Sequence, residues 1–261
     1  MIDSFSSQIK VAVRVRPILA CDYKLARQKG IKSEVCVAPK SDGETIALVK
    51  DVYHSKDFHY SQVFGHLETQ QDVYEKGCQQ LVAEFTNGYN ACLLCYGQSG
   101  TGKTYTMFGS NAKNWNSDCK DNITGIMQHS LKDIFKYIDI CRADNKTAKL
   151  YVSFYEIYLE CVRDLLIPSK VRGQKVNLNI RECPERGTYI EGLSIFEVED
   201  FDSLYELIHK AVARRASGAQ KINATSSRSH AIVRLVLEHE ADVLDEDTES
   251  IHSSTSLIHV T

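Results

Sequence analysis

Apolar and polar residues alternate at the start of the chain, and a period of two marks a half-buried strand. Across residues 8–18, Val11, Val13 and Val15 interleave with Ala12, Arg14 and Arg16 until Pro17 ends the run. Residues 20–60 carry only weak, short-strand patterns. Over 69–88 the period lengthens. Val73, Gly77, Leu81 and Phe85 form one row at four-residue spacing, and Tyr74, Cys78 and Val82 form the row beside it. This predicts one helix, closed by Asn87-Gly88. YNACLLCYG (89–97) is an unbroken apolar run of strand length, as expected of a strand buried on both faces. A helix is predicted from about Lys103, followed by a polar insert. Helical spacing returns over 125–138, with Ile126, Leu131, Ile134, Phe135 and Ile138 on one face. Residues 149–160 alternate and are rich in aromatics, which predicts a strand, and 176–182 and 188–198 read as shorter strands. Residues 202–217 predict a helix with Leu204, Leu207, Ile208, Ala211 and Val212 turned inward and Gly218 ending it. Residues 229–240 and 255–260 close the chain as strands. Strands that alternate with helices predict an α/β fold with a largely central sheet. No repeat or linker interrupts it, so a single domain over 1–261 is expected.

Composition narrows the function classes. The 261 residues are 43% hydrophobic and 25% charged with four prolines, which suits a packed core and not disorder. A net charge of −3 leaves no electrostatic footprint for nucleic acid. The one charge run is acidic, seven carboxylates between Glu238 and Glu249, and reads as a solvated loop. The first residues, MIDSFSSQIK, hold no apolar signal region, and no apolar stretch approaches the ~20 residues of a membrane helix. A cytoplasmic protein with reduced thiols is expected. Cys92 and Cys95 form a CxxC with no second pair to complete a zinc site, so packing within the apolar run is the expectation for both.

The chemistry concentrates after that run. Gly97-Gln98-Ser99-Gly100-Thr101-Gly102-Lys103-Thr104 matches G-x-x-x-x-G-K-[ST] without a mismatch, between a predicted strand and a predicted helix. Glycines let backbone N–H groups turn inward and approach phosphates closely. Lys103 is placed to pair with β- and γ-phosphates, and the Thr104 hydroxyl to ligate Mg2+. The motif predicts an ATP or GTP site. A second polar cluster, NATSSRSHAIV, follows 119 residues after Thr104 and presents Asn223, Ser226, Ser227, Arg228, Ser229 and His230 between a helix and a strand. Hydroxyls there can ligate Mg2+ or order a water, and an Arg can latch a moving loop.

Taken together, VRVRP (13–17), YGQSGTGKTYTM (96–107), SFYEIYLECVRDLL (153–166), LNIRECPERGTYIEGL (178–193) and NATSSRSH (223–230) resemble the kinesin motor domain, in that family's order and over nearly the whole chain. The resemblance implies a P-loop nucleotide hydrolase-type fold, a central mixed sheet flanked by helices. It implies a microtubule-based motor that hydrolyses ATP, with ATP and Mg2+ as cofactors, microtubules (tubulin) as partner and a cytoplasmic, cytoskeletal location. By the same resemblance Arg14 and Pro17 flank the adenine and Tyr105 stacks on it. Ser227 joins Thr104 in the Mg2+ shell, Ser226 and Asn223 position γ-phosphate and water, and Arg228 pairs with a switch II glutamate. Arg163 and Arg186 are candidates for contact with the acidic microtubule surface.

Two departures from the family pattern stand out. Ser61 replaces a usual Asp in KDFHYSQVFG (56–65), and SLIHVT ends the chain where the family continues into D-L-A-G-S-E. Asp164 in CVRDLL is not expected at a strand end and so offers no substitute. The chain is therefore expected to be an amino-terminal portion of a motor domain, incomplete at the C-terminus, with activity belonging to the complete protein. The other readings are a nucleotide-binding, non-motor kinesin relative that serves as a binding module, and a different P-loop hydrolase of similar topology.

Overall fold

The computed structural model describes residues 9–30, 35–49, 54–109, 124–168, 177–184, 187–221, 229–240 and 252–260. These fall into two compact units, Met1–Val73 and Tyr74–Thr261.

The first unit opens with β1 (Ala12–Arg14), shorter than the alternation predicted. Helix α1 (Ala20–Lys29) follows where only weak strand signals stood. It buries no residue, so it carries no hydrophobic period to read. Local chemistry defines it instead. The Asp22 carboxylate accepts the Leu19 N–H at 2.8 Å, and Gly30 ends the helix at φ 65. Strands β2 (Val37–Pro39), β3 (Thr45–Val49) and β4 (Ser55–His59) form an antiparallel meander, and β5 (Gln62–Phe64) pairs in parallel with β1. Ser61, at the departure from the family pattern, is bonded to Val11, the residue before β1. Its N–H reaches the Val11 carbonyl at 3.0 Å and its hydroxyl accepts the Val11 N–H at 3.2 Å.

The single helix predicted over 69–88 is two, α2 (Gln70–Gly77), which crosses the division between the units, and α3 (Gln79–Thr86). The break sits at Cys78, φ −130. Most of the predicted face survives it: Val73, Tyr74, Cys78, Val82 and Phe85 are buried, while Leu81 is half-buried and Gly77 is exposed. Thr69 and Asp72 cap the first helix reciprocally. Thr69 N–H donates to the Asp72 carboxylate at 2.8 Å, and Asp72 N–H donates to the Thr69 hydroxyl at 3.2 Å.

The second unit is built on one mixed sheet. Its strands are β6 (Ala91–Leu94), β7 (Ala148–Tyr158), β8 (Cys161–Asp164), β11 (Phe196–Val198), β12 (Ser229–Glu240) and β13 (His252–Val260), in the order β11-β7-β12-β13-β6 with β8 beside β7. Strand β13 runs parallel to β6; the other pairs are antiparallel. Helices α4 (Lys103–Phe108), α5 (Ile126–Ala143) and α6 (Phe201–Lys221) complete it, and α6 continues past Gly218, which was expected to end it. Leu131, Ile134 and Ile138 of α5 and Leu204 and Ile208 of α6 supply the core together with Leu150, Val152 and Phe154 of β7, all at most 1% exposed. Asp200 begins α6 by accepting the Ser203 N–H at 2.8 Å and its hydroxyl at 2.7 Å, which hold its carboxyl below the usual range.

Further predicted strands differ from the structure. The strand expected over 149–160 turns at Leu159 and Glu160, φ 46 and 61, and returns as β8. Asp164 therefore does close a strand. Its two carboxylate oxygens accept the Leu166 and Ser194 N–H groups at 2.8 and 2.9 Å, which makes it a tether for the chain. The region 188–198 divides between β10 (Gly187–Glu191), which pairs with β9 (Asn179–Cys183) as a separate hairpin, and β11 in the main sheet. Strand β6 is not buried on both faces. Among the described residues it stands at the sheet edge, with Ala91 buried, Cys92 exposed and Leu94 65% exposed. Packing thus does not account for Cys92. Among the described residues no helix is long and apolar enough to cross a membrane, and no cluster of His, Cys, Asp and Glu is arranged to hold a metal.

Candidate phosphate-binding site

Strand β6 leads directly into the glycine-rich loop, and α4 leaves it at Lys103. The loop needs its glycines. Gly97, Gly100 and Gly102 adopt φ 154, 83 and 103, and a Cβ on Gly97 would lie 2.6 Å from the Thr101 hydroxyl. The turn closes on the Gln98 carbonyl, which accepts the Thr101 N–H at 3.3 Å and its hydroxyl at 2.8 Å. Lys103 folds back over the loop, and its ammonium donates to the Gly97 and Gln98 carbonyls at 2.8 and 2.9 Å. A cation is thereby fixed on a loop whose other exposed groups are backbone and the side chains of Gln98, Ser99 and Thr101. Thr104 is exposed at the first turn of α4, whose hydrogen bonding begins with Thr106 N–H to the Gly102 carbonyl at 2.8 Å. Tyr105 is 39% exposed one residue further on. Gly97 to Tyr105 therefore form one contiguous surface.

The sheet register brings a second element to the same end. Val260 lies opposite Leu94 at the carboxyl ends of parallel β13 and β6, and Ile232 of antiparallel β12 lies opposite Val260. Ser229 and His230, which begin β12, therefore stand at the end of the sheet from which the glycine-rich loop emerges. They are two strands away, roughly 10 Å at ~4.8 Å per strand. In α/β sheets ligands gather at this carboxyl end. Asn223, Ser226, Ser227 and Arg228, immediately upstream, lie outside the described residues, as does Arg186.

Arg215 of α6 ties the root of that segment to the sheet. Its guanidinium reaches the Ser229 carbonyl and hydroxyl at 3.5 and 3.4 Å and Glu156 of β7 at 3.4 Å. The side chains of Arg215 and Glu156 are 14% and 13% exposed. Burial lowers the pKa of Arg215, and the Glu156 charge opposes that shift. Sequence reasoning missed this pair. Its only signal was an Arg on a predicted helix and a Glu on a predicted strand 59 residues earlier.

Arg14 and Pro17 belong to the first unit. Arg14 lies on β1, where its guanidinium donates to the Gln70 side chain, and Pro17 is exposed three residues beyond the strand. Arg163, on β8, is half-buried with its guanidinium 5.8 Å from the Tyr158 ring centre, so part of its charge faces an aromatic surface and not solvent.

Comparison with known proteins gives a single family. The family model of the kinesin motor domain matches residues 14–260. The chain is 34% identical over 243 residues to Kinesin-like protein KIF1A of Rattus norvegicus, covering 90% of this chain and 14% of the relative. It is 33% identical over 235 residues to Kinesin-related protein 3 of Dictyostelium discoideum, covering 90% and 18%. It is 33% identical over 267 residues to Kinesin-like protein KIF14 of Mus musculus, covering 98% and 15%. A solved structure of a fast kinesin, described for its implications for ATPase mechanism and interactions with microtubules, superposes with a TM-score of 0.80 at 28% identity, over 97% of this chain and 64% of that one. The chain spans less than a fifth of the length of these curated relatives, and with the family model matched over residues 14–260 it belongs to the kinesin motor domain family.

Proposed function

We propose that the protein binds ATP with Mg2+ and hydrolyses it in a microtubule-stimulated cycle that drives movement along microtubules, in the cytoskeleton of the cytoplasm. The observation that carries this reading is the glycine-rich loop with Lys103 fixed across its carbonyls, in a chain that matches a motor family over 14–260. The donor set fits a triphosphate. The Lys103 ammonium is already oriented over the loop, and moving from two carbonyls to phosphate oxygens exchanges neutral acceptors for charged ones, a gain in hydrogen-bond strength. The Thr104 hydroxyl, exposed beside it, and Ser227 of the second motif would hold Mg2+, which supplies charge neutralisation at the β- and γ-oxygens.

The remaining steps fall to this chain's own residues. Gly97 to Gly102 wrap the phosphates and exclude water from all but the attacking side. Asn223 and Ser226 orient the attacking water. Tyr105 stacks on the base. Arg228 latches the segment that precedes Ser229 once the site is closed, and Arg215 keeps the root of that segment on the sheet. A switch segment ordered by the γ-phosphate is the general device by which such sites report their nucleotide to a partner. The proposal is tested by measuring ATP turnover of the intact protein with and without polymerised tubulin, and with GTP in place of ATP. Turnover of ATP that tubulin accelerates at least tenfold is expected. ATP binding without turnover in either condition would overturn the motor reading in favour of a binding module.

A further inference from the structure

The structure assigns a role to Gln128, a residue that neither the sequence motifs nor the nucleotide loop include. Gln128 lies in the first turn of α5 and is 3% exposed. Its amide makes two short hydrogen bonds in opposite directions. The nitrogen donates to the Phe108 carbonyl at 2.8 Å, and the oxygen accepts the Gly125 N–H at 2.7 Å. Phe108 is the last residue of α4, and Gly125 immediately precedes α5. One side chain thus satisfies a carbonyl at the end of one helix and an N–H at the start of the next, two groups of the kind that helix ends leave unpaired.

The contact leaves little room for adjustment. A Cβ on Gly125 would lie 2.4 Å from the Met107 carbonyl oxygen and 2.6 Å from the Gly109 nitrogen, so the backbones of the two helix ends touch. Only glycine permits that approach. Helix α4 is six residues long, too short to hold its own geometry in water. Its placement depends on what grips its far end: the buried Met107 and Phe108, the Phe108 ring stacked 6.2 Å from Phe154, and the Gln128 amide. The opposite end of the same helix bears Lys103 and Thr104.

We propose that Gln128 is a positioning residue for the phosphate loop. By clamping the C-terminal end of α4 to α5, it sets where Lys103 and Thr104 point. This role rests on the nucleotide reading above and extends it to a residue 25 positions beyond Lys103. Hydrophobic packing alone locates Met107 and Phe108 but lets a short helix rotate and slide; the directional bond from Gln128 to the Phe108 carbonyl restricts that freedom, and the bond from Gly125 N–H holds the Gln128 amide in the orientation that makes it.

Two variants test it in the intact protein. Gln128→Met keeps the length of the side chain and removes both hydrogen bonds. Gln128→Glu keeps the volume and the acceptor for Gly125 and, in its ionised form, removes the donor to Phe108. Ser130→Ala is the control, since the buried Ser130 hydroxyl donates to the Ile126 carbonyl within α5. Affinity for Mg-ATP, melting temperature, and amide exchange at Thr106 and Gly109 are read on the same samples. Gln128→Met is expected to weaken Mg-ATP binding at least fivefold and to speed exchange in α4. Ser130→Ala, at a similar loss of melting temperature, stays within twofold of the parent in affinity. If Gln128→Met does not fold, Gln128→Glu is expected to show at least a threefold loss of affinity. A parent that binds Mg-ATP while the folded Gln128 variants match it within twofold overturns the positioning role alone. A parent that shows no Mg-ATP binding overturns the nucleotide reading and this role with it.

Discussion

Lys103 shows how much a single side chain can be asked to do in this loop. Its ammonium is held by two backbone carbonyls, so the charge is oriented before any anion arrives. Lys103→Ala leaves the phosphates with backbone donors only, and Mg-ATP binding is expected to weaken at least tenfold, about 1.4 kcal/mol, in a calorimetric titration. Equal affinities would reject the role. Arg228 is different in kind, because its proposed partner is met only in the closed site. Arg228→Ala is expected to keep nucleotide affinity within a few-fold and to lose most tubulin-stimulated turnover; a near-normal stimulated rate would reject the latch. The pair Arg215–Glu156 can be tested through stability. Glu156→Ala removes the carboxylate that faces a largely buried guanidinium, and a loss on the order of 3 kcal/mol is expected in urea unfolding. A loss below about 1 kcal/mol would mean that water already reaches the pair. At this scale legibility followed contiguity. Gly97 to Tyr105 are consecutive, so their chemistry could be read directly. Gln128 and Arg215 act on groups 20 and 59 residues away, and nothing local distinguishes them from any other polar residue on a helix.

Elements were legible where burial imposed a period. The inward faces of α5 and α6 were predicted, apart from the half-buried Leu207, because the core demands apolar side chains at three- and four-residue spacing. Helix α1 was missed because it buries nothing and rests on local caps. The β7–β8 turn was missed for the opposite reason. Leu159 and Glu160 take positive φ in a two-residue hairpin, a conformation normally announced by Asn-Gly, and neither residue signals a turn. The sheet pairing around it, Tyr158 with Cys161 and Glu156 with Arg163, enforces the turn against local preference. That conflict makes a prediction. Replacing Leu159 by Asn and Glu160 by Gly puts the two residue types that tolerate left-handed backbone at an exposed site, and the double variant is expected to gain about 1 kcal/mol of stability. Thermal unfolding checks it, and a loss of stability would show that the Leu159 side chain contributes more by packing than it costs in strain.

For the molecule as a whole, the α/β class was readable from the order of elements, but the strand order was not. Strand β6 pairs with β13 across more than 150 residues, and β1 pairs with β5 across about 50, distances over which sequence pattern carries no register. Net charge, in contrast, is a whole-chain property that sequence states directly, and it constrains the proposed partner. The chain carries −3 and the microtubule surface is acidic, so net charge repels where the function requires attraction. Attraction must then come from local basic residues acting within a Debye length, ~8 Å at physiological salt. Arg163, a candidate for that contact, has its guanidinium 5.8 Å from the Tyr158 ring centre. Such short-range steering is screened steeply, whereas the Lys103 contacts lie within hydrogen-bond distance and are screened far less. Raising salt from about 25 to about 200 mM should therefore lower the tubulin-stimulated rate at subsaturating tubulin at least fivefold, while the basal ATPase changes less than twofold. Steady-state turnover at both salt concentrations, with and without polymer, measures both quantities at once. A stimulated rate that holds steady would show that the partner surface is reached through apolar contact. A basal rate that falls in parallel would place the salt sensitivity at the nucleotide site.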